Sequence, residues 1–101
     1  MRYVRNLRSL YDFIATVLLS APDRFRYRDY RAPEDQLNMD RAFQELREGL
    51  VFVPKIESDS SFHSQLCALL DQSLEAYRAG DRRRGAHLLQ DFQDRIFSNA
   101  D

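Results

Sequence analysis

Between residues 58 and 97, apolar side chains recur at three- and four-residue steps on both sides of a short break, and few folds accept that pattern. Phe62, Leu66, Leu69, Leu70, Leu74 and Tyr77 fall on one face of a helix. Ala86, Leu88, Leu89, Phe92, Ile96 and Phe97 fall on one face of a second. The break is Ala79, Gly80 and Asp81. Gly80 supplies the left-handed conformation that ends a helix without a Cβ clash. Asp81 is suited to cap the free N–H groups of the helix that follows. So short a link turns the second helix back antiparallel to the first. The apolar face of this hairpin then needs a cover.

The cover is predicted over residues 2–19. Val4, Leu7, Leu10, Tyr11, Ile14, Val17 and Leu18 make a broad stripe, flanked by Tyr3, Phe13 and Leu19, so this helix packs on more than one side. Arg8 and Asp12 are spaced to pair across one turn. Pro22 ends the pattern, and residues 24–31 alternate arginines with Phe25, Tyr27 and Tyr30. A long irregular connection is expected there, with one helical turn after Pro22. Its aromatics either lie against the bundle or form a cationic-aromatic strip for a partner.

A further helix is predicted over residues 38–48, starting as early as Pro33. Asn38 is its N-cap, Leu37 staples against Ala42, and Gly49 stops it. Met39, Ala42, Phe43, Leu46 and Leu50 form its stripe. Residues 50–54 are apolar and β-branched, which predicts a short extended segment or strand-like lip across the bundle end. It serves as a core plug or, alternatively, as a partner-binding lip. The expected fold is all-α: a four-helix up-down bundle with a long loop after helix 1 and a C-terminal antiparallel helical hairpin, one domain over residues 1–101.

Net charge is −1, which conceals segregation. Residues 1–31 sum to +4, residues 32–81 to −6, and residues 82–101 to +1. One basic end and an acidic middle suit a charged protein partner better than general nucleic-acid binding. A single cysteine, Cys67, excludes an internal disulfide and fits a reducing compartment. With no long apolar run and no convincing secretory leader, the chain is expected to be cytoplasmic, without a membrane span.

Candidate chemistry is sparse. His63, Cys67 and Asp71 are spaced to share a helix face, and His87 lies on the next helix. Such a set resembles a zinc site, or a Cys–His nucleophile and base, only if the side chains converge. The plainer reading is a structural cysteine beside surface histidines. Arg82, Arg83 and Arg84 open the last helix, where the helix dipole favours anions, but Gly85 stands alone without a glycine-rich phosphate cradle. The carboxylate pairs Glu34/Asp35, Glu45/Glu48 and Asp91/Asp94 lie on polar faces, and no nucleophile elbow occurs. The expectation is a non-enzymatic chain with no cofactor and no metal.

Residues 74–86 resemble the helix-turn-helix of tetratricopeptide repeats over one turn, although the flanking helices are longer than that repeat allows. In size, helical character, segregated charge and lack of a catalytic set, the chain resembles the small all-α immunity proteins of bacterial toxin systems of the type VI secretion kind. That resemblance implies a protein that binds a cognate toxin domain and occludes its active site. On that reading an acidic face of Glu45, Glu48, Asp71 and Glu75 mimics the phosphate charge of the toxin's substrate. Arg82, Arg83, Arg84, Tyr27 and Tyr30 complete the expected partner-binding set. The alternatives are a small nucleic-acid-binding or regulatory domain using Arg24, Arg26, Arg28 and Tyr27, and a secretion chaperone or adaptor.

Overall fold

The computed structural model describes residues 4–21 and 38–97. They form α1 (Leu7–Ser20), α2 (Met39–Glu48), a 3-10 turn (Gly49–Phe52), α3 (Ser60–Arg78) and α4 (Arg82–Phe97), with no strand among the described residues. The chain is all-α, as its periodicity predicts. The expected loop over residues 22–37, the helical turn after Pro22, the early start at Pro33 and the Leu37 staple lie outside the described residues.

α1 starts at Leu7 rather than at residue 2, because a cap forms just before it. Asn6 Oδ1 accepts the Ser9 N–H at 2.8 Å, and Ser9 Oγ accepts the Asn6 N–H at 3.0 Å. This is a capping box in which a serine takes the place usual for Glu or Gln. The buried face is Leu10, Phe13, Ile14 and Val17. Phe13, expected at the flank, therefore faces inward, whereas Tyr11 is half exposed and meets the edge of Phe97 with ring centroids 5.0 Å apart. The expected pairing of Arg8 with Asp12 is present at 3.8 Å, fully in solvent.

α2 begins where its sequence places it, with Asn38 Oδ1 accepting the Arg41 N–H at 2.8 Å. Gly49 ends it, but in a right-handed conformation at φ −68. Its glycine serves close approach instead: a Cβ there would lie 2.9 Å from Val4 Cγ1 and 3.1 Å from Leu10 Cδ1. The segment expected to be extended then coils into the 3-10 turn. The coil ends at Val53, which is extended at φ −80 and ψ 128; Leu50, Val53 and Ile56 are buried, and Val51 is left in solvent. Burial as a core plug thus holds for Leu50, within the coil, and for Val53, on the extended residue that follows it.

α3 starts on Asp59, whose Oδ1 accepts the Phe62 N–H at 3.0 Å. At its end Gly80 takes φ +88. The Asp81 N–H reaches Ala76 O at 2.8 Å and the Gly80 N–H reaches Tyr77 O at 3.1 Å. These paired bonds are the Schellman arrangement that satisfies the last carbonyls of a helix. Asp81 Oδ1 then accepts the Arg84 N–H at 3.1 Å and opens α4. Contacts between Gln65 and Arg95 at one end and Ser73 and Gly85 near the other fix α4 antiparallel to α3.

The two arms approach closely at Gly85. A Cβ there would lie 2.7 to 2.8 Å from carbons of the Tyr77 ring, so only glycine admits that ring. Beside it the buried Ser73 hydroxyl donates to Gly85 O at 2.7 Å. Behind this seam Leu66 and Leu70 of α3, Leu89 and Phe92 of α4, Leu10 and Ile14 of α1 and Leu46 of α2 share one core. No helix among the described residues is long and apolar enough to cross a membrane.

Candidate functional site

The expected acidic face does not assemble as a free surface. Glu45 is a correction: it is 2% exposed, because the inward side of α2 takes in Ala42, Phe43, Glu45 and Leu46 together. Its carboxylate lies 3.4 Å from Arg41 Nη2 and accepts the Val4 N–H at 3.4 Å. The residue thus ties the segment before α1 to α2, and it supplies an acceptor for a buried backbone donor that would otherwise cost stability.

Asp71 is exposed and paired with Arg47 across the α2–α3 seam, and Arg78 pairs with Asp40 across the same seam. Glu48 accepts from Gln44 Nε2 at 3.0 Å. Glu75 is exposed and borders a shallow notch with Asp81 and Arg84 at the end of the hairpin. Of the four acids, Glu45 is interior and paired with Arg41, Asp71 is paired with Arg47, Glu48 is held by a neighbouring amide, and Glu75 is exposed.

The metal candidates are dispersed. Cys67 is half-buried against the core, and His63 is exposed near the turn between α2 and α3. Asp71 belongs to the Arg47 pair, and His87 Nε2 lies 3.7 Å from Asp91 on α4. Among the described residues no three His, Cys, Asp or Glu side chains gather where a metal ion would sit.

The hairpin tip gathers three consecutive arginines. Arg82, Arg83 and Arg84 are all exposed, and among the described residues none has a carboxylate within ion-pairing distance. Asp81, the nearest acid in sequence, has its carboxylate on the Arg84 N–H. Asp81, Arg83, Arg84 and His87 border one shallow depression there. Three cations at the positive end of a helix dipole oppose the local field.

Beneath the tip, the Tyr77 hydroxyl is buried with no hydrogen-bond partner among the described residues. Burial raises the pKa of this phenol above 10.0, with the Arg82 charge pulling the other way. Tyr27 and Tyr30 lie outside the described residues, as do Arg24, Arg26 and Arg28.

No protein-family model, curated protein or solved structure matches the chain. What bears on function is therefore the arrangement of its own side chains. Sequence reasoning missed the Tyr77–Gly85 seam, the Asn6 cap and the turn at Lys55. The first carried a signal, a glycine and a serine at facing positions of the two arms, that is legible only once their register is known.

Proposed function

We propose that this chain is a non-catalytic protein-binding module whose hairpin tip docks on an acidic surface of its partner. One observation carries the reading: Arg82, Arg83 and Arg84 stand together with no carboxylate within ion-pairing distance among the described residues, at the helix end where positive charge is least favoured. Arginines of α2 and α3, by contrast, are matched by Asp40, Glu45 and Asp71. An arrangement unfavourable within the free protein becomes favourable when a partner brings the missing carboxylates, and planar guanidinium groups suit that contact. In its most specific form the module is an immunity protein that covers a cognate bacterial toxin. The tip then takes the leading place that the sequence gives to Glu45, Glu48, Asp71 and Glu75.

Affinity capture from the native host, with wild type beside the R82A/R83A/R84A variant, tests this. Wild type is expected to retain one protein at equal stoichiometry, and the variant to lose it. Expression of the captured protein alone should arrest growth, and co-expression with this chain should restore it. Retention of nucleic acid in place of a protein, or equal capture by the variant, contradicts the reading.

A further inference from the structure

At the end of the bundle away from the tip, Leu7, Val53, Phe62, Ile96 and Phe97 line a largely apolar groove of about 460 Å³. Lys55 and Arg95 stand on its walls. Lys55 is the only lysine in the chain, and it is held at φ +66, where a side chain bearing a Cβ is strained. Pro54 and Lys55 occupy the central positions of a turn closed by the Ile56 N–H on Val53 O at 3.3 Å. Position i+2 of such a turn ordinarily falls to Gly or Asn. Lys55 is exposed, and its ammonium meets no carboxylate among the described residues.

We propose that this groove binds a small amphiphile that carries a carboxylate on an alkyl chain, with the anion at Lys55 and the chain along Phe62, Ile96 and Phe97. Charge complementarity selects the headgroup: a cation with no ion-pairing carboxylate among the described residues stands at the rim of an apolar trough. Asp59 also borders the groove, but its Oδ1 accepts the Phe62 N–H at 3.0 Å, on the positive end of α3. The backbone selects an alkyl chain over a peptide. Around the turn, the Lys55 carbonyl already accepts from Ser58 Oγ and the Asp59 N–H, and the Ile56 N–H is on Val53 O. A polypeptide laid there would bury amides without partners, whereas an alkyl chain buries none. The volume falls in the range of small-ligand sites. This site is separate from the arginine tip and does not depend on its role.

Titration of the full chain with octanoate, decanoate and decanol, followed by amide chemical shifts, tests the proposal. Decanoate should give saturable shifts confined to the neighbourhoods of Leu7, Lys55, Phe62 and Phe97. Octanoate should bind more weakly, by up to about fourfold for each methylene lost from full burial. Lys55→Gln, whose ligand-free spectrum should match wild type, should weaken decanoate by roughly fivefold and leave decanol unchanged. Shifts spread through the core, no saturation below the micellar range, or decanol binding as tightly as decanoate would overturn the proposal.

Discussion

Two sets of arginines on this molecule do opposite things. Arg41, Arg47 and Arg78 lie along α2 and α3, and each meets a carboxylate. Arg82, Arg83 and Arg84 lie at the hairpin tip and meet none among the described residues. The first set belongs to the fold, although its two exposed pairs add little to stability, since solvent screens them and ordering long side chains is costly. The second set is charge held out to solvent against the field of its own helix. Charge segregation in the sequence therefore divides into charge already matched and charge still open, and only the second kind points to a partner.

The largest expected effect lies beneath both sets. Leu70→Asp puts a carboxylate in a fully packed site and should unfold the domain, seen as loss of cooperative melting. If the variant stays folded and only binding weakens, inside and outside are assigned wrongly. Next is Gly85→Ala. Forcing a Cβ against the Tyr77 ring costs roughly 1–3 kcal/mol and the helix propensity gain of about 1 kcal/mol offsets part of it, so a net loss of up to roughly 2 kcal/mol in denaturant titration is expected. A neutral result would show that the seam yields.

Tyr77→Phe should act in the opposite sense. It removes a buried hydroxyl that has no partner among the described residues and should raise stability by about 1 kcal/mol. A pH signature accompanies it. The folded phenol holds its proton above 10.0, so its contribution is fully present below the unfolded pKa and is lost as pH rises through the higher folded value. The variant should lose less stability on the alkaline side, measured by urea midpoints from neutral pH upward. Asp71→Ala should cost less than about 0.5 kcal/mol, because its pair with Arg47 is exposed. A larger cost would place the matched arginines among the main supports of the fold.

The hairpin was legible because its information is local. The three-residue break, Gly80 and Asp81 all act within one turn, and apolar spacing alone orients both arms. Asn38 and Gly49 marked the ends of α2 for the same reason, although Gly49 is needed for its closeness to Val4 and Leu10 rather than for a left-handed turn. What escaped is non-local or competes with a simpler pattern. Glu45 sits one position before Leu46 on a helix whose polar face looked intact, and only packing against the Val4 segment reveals it as buried. Residues 50–54 carry β-branched chains that favour extension, but the chain coils through Phe52, buries Leu50, and extends only at Val53. Charge counting could not separate Asp71, matched by Arg47, from the unmatched arginines at the tip. That distinction requires knowing which helices are neighbours.

A small effect on the fold accompanies the variant most informative about function. Removing the arginines in R82A/R83A/R84A relieves repulsion at the α4 N-terminus and should raise stability slightly, by about 0.5 kcal/mol at low ionic strength. The decisive measurement is partner capture by this variant, normalised to folded protein, beside wild type from the same host. An intact, marginally more stable fold that no longer retains the partner is expected. Undiminished capture by the folded variant would contradict it.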